Sequence, residues 1–267
     1  VLKRLTATYP ESPYYLPALS QLGLTYQNLG NGNEALRYYK QIVAEFPSSR
    51  QAKDAMLSIR NIYGDNNDVD SYVAFARESG VETNVTMVER DSLSYTAANR
   101  VYQNGDYARA LTLMDNYLRQ YPKGSFRIEA LYALGDCSLR EGNRAGALAA
   151  FEEVGSMPMS EYKVPALQQA AKMQVEDKHY PQAAALYKTL STVAIKSADI
   201  ASALGGYLSA VIATGNVAEM GRAADEVLAS PYVTADLTRE ANFAKARALQ
   251  ADGHDDEALK LYRQVAG

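Results

Sequence analysis

The sequence predicts an all-α fold, an α-solenoid of about seven helix-turn-helix repeats that form a right-handed superhelix. One pattern recurs at intervals of about 37 residues, and self-similarity at such a period is typical of a stack of small structural units. In all but one of the copies, a small residue is followed twelve residues later by alanine, which lets two helices pack closely. The first position is occupied by Gly23, Ala98, Gly135, Ala171, Leu208 and Ala246; the second by Ala35, Ala110, Ala147, Ala183, Met220 and Ala258.

A turn signal lies between those two positions. Glycine favours the left-handed conformation that ends a helix, and asparagine or aspartate caps the start of the next one. The residues at the first turn position are Gly30, Gly105, Gly142, Lys178, Gly215 and Gly253. Those that follow are Asn31, Asp106, Asn143, His179, Asn216 and His254. Each unit is therefore predicted to be a helix, a tight turn and a helix, with both histidines serving as turn or cap residues.

The repeats place a single solenoid over residues 1–267, without an interdomain linker. Residues 1–14 are interpreted as the second half of a preceding repeat, and we expect both ends to be cut from a longer protein. The remaining predicted units are 16–49, 50–90, 91–127, 128–163, 164–200, 201–238 and 239–267.

The unit at 50–90 is degenerate, because it lacks the glycine and alanine signatures. Helices are nevertheless predicted over 52–63 and 69–78. The acidic stretch 65–70 invites comparison with a calcium loop, but Asp70 occupies the position at which an EF-hand needs glycine. A turn is the better interpretation.

Composition argues against several functions. The net charge is −4 and no basic stripe is present, so nucleic acid is not an expected partner. No apolar run is long enough to cross a membrane. With one cysteine and two histidines, a metal site built from these ligands has too few of them. Cys137 is interpreted as core filler rather than a nucleophile. We expect no catalytic residues, no metal and no cofactor, and hence no enzyme.

The pattern resembles the tetratricopeptide repeat, most closely from Leu19 to Tyr26 and on through Gly30, Ala35 and Pro47. The interval of thirteen residues from Pro122 to Gly135, longer than usual, and the phrase at 120–125 resemble bacterial cell-envelope members of this family. Those include periplasmic proteins of the Tol–Pal system and lipoproteins of outer-membrane assembly. This resemblance implies an extracytoplasmic location, in the periplasm or at the outer membrane, with a cytoplasmic location left open.

The resemblance also implies that the first helix of each repeat lines a concave surface that binds a protein or peptide. The residues predicted to contact the partner are Tyr95, Asn99, Tyr102, Tyr132, Asp136, Arg140, Gln168 and Lys172. Tyr95 and Tyr132 have an alternative interpretation as fillers between neighbouring units. Family members that clamp chaperone tails need basic residues at the fifth position of successive first helices. That position holds Ser20, Tyr95, Tyr132, Gln168, Gly205 and Phe243 here, so this mode is not expected.

The leading functional hypothesis is a non-enzymatic scaffold that binds a partner in this groove, within a larger envelope protein. One alternative is a structural spacer without a peptide ligand. Another is a recruiting or regulatory arm of a larger enzyme or sensor. The sequence leaves the oligomeric state open.

Overall fold

The computed structural model describes residues 1–66, 68–81 and 85–266, and these residues form helices connected by turns. The prediction of an all-α solenoid is confirmed. The helices are α1 (Leu2–Thr8), α2 (Tyr15–Asn28), α3 (Gly32–Glu45), α4 (Arg50–Asp65), α5 (Val69–Ser79), α6 (Met87–Gln103), α7 (Tyr107–Gln120), α8 (Arg127–Arg140), α9 (Arg144–Ser156), α10 (Lys163–Glu176), α11 (Tyr180–Val193), α12 (Ser197–Thr214), α13 (Val217–Leu228), α14 (Ala235–Ala251) and α15 (Asp255–Ala266).

The chain divides into two compact units, Val1–Ala133 and Leu134–Gly267. Within each unit, neighbouring helices pair as the repeat pattern predicts, for example α2 with α3 and α6 with α7 in the first, and α10 with α11 and α14 with α15 in the second. The first unit has a core that includes Leu19, Ile42 and Ile59. The second contains a core that includes Leu208 and Met220. The predicted single solenoid with its unit boundaries stays a prediction.

The predicted turn chemistry is confirmed. The five turn glycines have φ between 72° and 82°, and Lys178 adopts the same left-handed region with φ of 61°. Four N-cap side chains accept a hydrogen bond from the backbone N–H three residues ahead; they are Asn31, Asp106, Asn143 and Asn216. His179 occupies the equivalent N-cap without a capping side-chain bond, and its Nδ1 lies 3.0 Å from Gln174 Oε1.

Aromatic rings of the second helix of a hairpin pack directly on small residues of its first helix. A Cβ added to Gly23 would lie 2.6 Å from Cε1 of Tyr39, and one added to Gly135 would lie 2.8 Å from Cε1 of Phe151. Real Cβ atoms do not approach that closely, so glycine is required for these two rings to pack.

The degenerate unit contains the two predicted helices, α4 and α5. Its acidic stretch forms a turn rather than a calcium loop among the residues described. Asp68 caps α5 by accepting a hydrogen bond from the Ser71 N–H at 3.2 Å. Asp65 pairs with Arg100, and Asp70 pairs with Arg90 at 2.5 Å. The remaining stretch residue Asn67 lies outside the described residues.

The degenerate unit also exchanges large and small residues. Its buried positions Ala52, Ala55, Met56 and Ile59 lie 37 residues after Tyr15, Ala18, Leu19 and Leu22. In that register Arg60 occupies the position of Gly23. On the second helix, Tyr72 takes the position of Ala35, and Ala76 takes that of Tyr39. This hairpin is therefore packed with the opposite distribution of side-chain sizes.

Candidate functional site

In the first unit, three predicted partner-binding residues lie on one face of α6. Tyr95, Asn99 and Tyr102 are spaced i, i+4 and i+7, which places them in a stripe along the helix. All three are partly exposed, whereas Ala97 and Ala98 between them are buried. Tyr132 on α8 is also partly exposed. The stripe on α6 thus combines aromatic surface with an amide.

Tyr95 makes extensive aromatic contacts. Its ring stacks on Phe126 with centroids 4.5 Å apart and planes 2° apart, and it tilts against Tyr117 at 5.7 Å. Phe126 immediately precedes α8, so Tyr95 fills space between two successive repeats. This contact supports the interpretation of Tyr95 as a packing residue, while part of its surface stays accessible.

In the second unit, the predicted residues are charged or polar and lie on two helices, α8 and α10. Arg140 Nε donates to Asp136 Oδ2 at 2.8 Å, one turn away on α8. Gln168 and Lys172 are exposed one turn apart on α10. Lys172 Nζ lies 3.9 Å from Glu176, a carboxylate that also pairs with Arg144 at 2.9 Å. Because these pairs are exposed, they constrain the side chains only weakly.

Sequence analysis missed a buried carboxylate, Asp91, which is 5% exposed. Its Oδ1 accepts a hydrogen bond from the Tyr117 hydroxyl at 2.5 Å, and its Oδ2 accepts one from the Ser125 N–H at 2.7 Å. The Tyr117 oxygen in turn accepts a hydrogen bond from the Phe126 N–H at 3.2 Å. Burial, followed by the hydrogen bond to Asp91, raises the pKa of Tyr117 above its usual value.

This network anchors the connection between α7 and α8, including Phe126 on which Tyr95 stacks. A Cβ on Gly124 would lie 2.5 Å from the Tyr117 hydroxyl, so glycine is required for the approach. A sequence signal existed: Asp91 lies seven residues before Ala98, at a position held by Leu16 before Gly23 and by Ile128 before Gly135. The charge alone was not decisive, because Arg239, at the same position before Ala246, is exposed.

The one cysteine of the sequence lies in the core. Cys137 is fully buried, and burial raises the pKa of its thiol to about 11, which suppresses the nucleophilic thiolate. Among residues 1–66, 68–81 and 85–266, no cluster of three or more His, Cys, Asp or Glu side chains is placed to hold a metal ion. In the same residues, no helix has the length and apolarity needed to cross a membrane.

Hairpins closed by left-handed glycine turns and packed through small residues define a helical-repeat protein. Two family models described as tetratricopeptide repeat match the chain, one over residues 17–49 and the other over residues 95–156. The tetratricopeptide resemblance is therefore confirmed for these segments, which include α2, α3 and most of α6 to α9. Tetratricopeptide repeats indicate a protein–protein interaction module.

Several solved structures are similar to the chain. The TPR-like repeats of a putative kinesin light chain from Podosopora anserina are 18% identical over 68% of this chain and 96% of that one, with a TM-score of 0.38. A tetratricopeptide repeat protein from Parabacteroides merdae is 13% identical over 94% and 92%, with a TM-score of 0.34. PilF from Pseudomonas aeruginosa is 16% identical over 81% and 94%, with a TM-score of 0.37. No curated protein matches the chain. Similarity at this level does not extend to function.

Proposed function

We propose that the chain is a non-enzymatic scaffold that holds an extended segment or a helix of a partner protein against its first helices. The observation that carries this proposal is the accessible stripe on α6. Tyrosine offers a large contact area with a hydrogen-bonding tip, and asparagine offers both a donor and an acceptor. A stripe of this composition suits a partner that presents both apolar side chains and backbone polar groups.

The second unit supports the same function with different chemistry. Gln168 and Lys172 are exposed, and they project long, flexible polar groups one turn apart. Lys172 is held by only a distant contact to Glu176, so a partner carboxylate or carbonyl competes for it at little cost.

The packing role of Tyr95 determines how the proposal is tested. Replacing Tyr95 by alanine would remove the ring that stacks on Phe126, so lost binding would not be separable from lost stability. Exposed positions on α10 avoid this difficulty. The test variant is Gln168→Glu with Lys172→Glu. The matched control is Gln182→Glu with Lys196→Glu, which makes the same charge change at exposed positions outside the predicted binding residues.

Peptides would be selected from a displayed random library on the immobilised chain, and their affinities measured by fluorescence anisotropy. We expect the α10 double variant to weaken the selected peptides roughly tenfold or more, since one tenfold step corresponds to about 1.4 kcal/mol. The control should leave affinity unchanged. Equal affinities for both variants would contradict groove binding and favour the structural spacer. The packing of Tyr95 on Phe126 is compatible with that alternative.

We further propose that the protein acts outside the cytoplasm in a bacterial envelope. The interval of thirteen residues from Pro122 to Gly135 supports this location, because it is longer than usual for the repeat and resembles the envelope members of the family. Fractionation of the source organism, with immunoblotting for the whole protein, tests it. Recovery in the cytoplasmic fraction alone would contradict this location without affecting the scaffold proposal.

A further inference from the structure

A cavity of about 290 Å³ lies within the degenerate repeat of the first unit. It is bordered by α4, α5, α6 and the residue Val85. Its lining combines one guanidinium, one carboxylate, an amide, three hydroxyls and apolar side chains; the residues are Arg60, Asn61, Tyr72, Val85, Glu89, Ser92, Leu93 and Thr96. This volume lies at the lower end of the range for small-molecule sites, so the cavity can take a small ligand.

The exchanged side-chain sizes described above account for the cavity's location. Arg60 stands where the first repeat has Gly23, and Tyr72 stands where it has Ala35. In the first repeat, the Tyr39 ring covers the glycine, but the equivalent position in this repeat is Ala76. A long cationic side chain therefore lies where the first repeat places a closely packed glycine.

The Arg60 guanidinium borders the cavity, and its Nε is buried without a hydrogen-bond partner among the residues that the structure describes. A buried donor left unpaired is costly, and such groups are uncommon in folded proteins. Arg90 also has a buried, unpaired Nε, but its Nη2 donates to Asp70 at 2.5 Å. The described residues give Arg60 no corresponding carboxylate within ion-pair distance.

The side chains that line the cavity indicate which class of ligand it would bind. Arginine presents its donors in a planar fork that matches a carboxylate. Asn61, Ser92 and Thr96 add polar groups, and Leu93 adds an apolar surface for a short carbon stem. The Glu89 carboxylate accepts hydrogen bonds from the Thr86 N–H at 2.8 Å and hydroxyl at 3.0 Å. Its charge repels a dianion such as phosphate more strongly than the single negative charge of a carboxylate.

We propose that the Arg60 cavity binds a single carboxylate group, with Arg60 as its ion-pair partner. The carboxylate can come from an acidic side chain or from the C-terminus of a peptide. This site is separate from the predicted groove residues, so it can be tested independently of the scaffold proposal.

The probes are N-acetyl-L-glutamate methylamide for an acidic side chain and N-acetylglycine for a terminal carboxylate. N-acetyl-L-glutamine methylamide and inorganic phosphate are the comparisons. Each is titrated into the isotope-labelled chain while the amide resonances of Asn61, Ser92 and Thr96 are followed by NMR. We expect saturable shifts with at least one carboxylate probe, and the more tightly bound of the two identifies the source. The glutamine probe should produce none.

Arg60→Gln should weaken the carboxylate probe roughly tenfold or more, because it removes a charge-assisted hydrogen-bond pair. Arg50→Gln, at an exposed position of the same helix, is the control and should bind as the unaltered chain does. Equal shifts with the acid and the amide, stronger binding of phosphate, or no saturable shift with any probe would overturn the proposal. The comparison of acid and amide uses the unaltered chain, so it decides the matter even if Arg60→Gln fails to fold.

Discussion

Asp91 and Tyr117 form a buried hydrogen bond of 2.5 Å between α6 and α7. The pair does more than join the two helices of one repeat. Through Ser125 and Phe126 it fixes the start of the next repeat, because the carboxylate and the phenol each receive a backbone N–H from that connection. Stability in this part of the chain is thus shared between neighbours, as expected for a stack of repeats.

Asp91→Asn should destabilise the protein by about 1–3 kcal/mol. An amide can still accept the Tyr117 hydroxyl through its oxygen, but its NH2 group then faces the Ser125 N–H and leaves that donor unpaired. Urea unfolding followed by circular dichroism measures the loss. Asp54→Asn is the control, since that side chain is 66% exposed, and it should shift stability by less than about 0.5 kcal/mol.

Tyr117→Phe should reduce the amount by which the free energy of unfolding falls at alkaline pH. The pKa of Tyr117 is raised from 10.0 by burial and by its hydrogen bond to Asp91. The folded chain therefore keeps a proton that the unfolded chain releases above about pH 10, so this stabilisation is complete below that pH and is lost as the pH rises further. Urea unfolding at about pH 9 and about pH 11 gives the slope. Tyr14→Phe, at a side chain that is 69% exposed, should leave the slope as it is, and an equal slope in Tyr117→Phe would contradict the expectation.

Gly135→Ala should cost about 1–3 kcal/mol, because the new methyl group would press on the Phe151 ring. Adding Phe151→Leu should restore part of this loss by removing the atoms that clash. Gly64→Ala in α4 is the control, since a Cβ there meets nothing within 4 Å. It should raise stability by about 0.5 kcal/mol through helix propensity. Thermal unfolding of the unaltered chain, the two single variants and the double variant checks the expected order of stability.

Lys178→Gly should stabilise the protein by about 0.5–1 kcal/mol. Lys178 holds φ of 61° at a turn position where the other repeats have glycine, and a side chain pays about 1–2 kcal/mol for that conformation. Part of the gain is offset by the greater freedom of glycine in the unfolded chain. The converse change, Gly142→Lys, should destabilise, and a Cβ there meets nothing within 4 Å, so the cost is conformational. The urea concentrations at the unfolding midpoints of both variants, compared with that of the unaltered chain, measure the two changes in stability.

Cys137 should resist thiol reagents in the folded chain. A pKa of about 11 in place of 9.0 leaves roughly one hundredth of the thiolate at neutral pH, before burial further limits access. Reaction with Ellman's reagent at about pH 8 should be slow in buffer and rapid in denaturant. Rapid reaction of the folded chain would contradict the buried position.

The features that the sequence predicted correctly depend on residues close together in the chain. Gly30 followed by Asn31 ends one helix and begins the next through backbone conformation and one capping bond, so the spacing alone predicts a hairpin. The Asp91 network was missed because its partners Tyr117 and Ser125 lie 26 and 34 residues away, and only the folded chain brings them near. The packing role of Tyr95 depends on Phe126 in the same way. The partner-binding residues stay a prediction, since an exposed stripe is compatible with more than one use.

The size exchange in the degenerate repeat has a consequence for protein engineering. Gly23 with Tyr39, and Arg60 with Ala76, occupy matching positions in two hairpins of the same architecture. Whether a substitution is tolerated in such a chain therefore depends on the residue at the paired position of the hairpin. The residue that is most common at the same place in the other repeats does not decide it. Exchanging one member of a pair alone would put glycine opposite alanine, or arginine opposite tyrosine, and would build a hairpin that neither native combination supports.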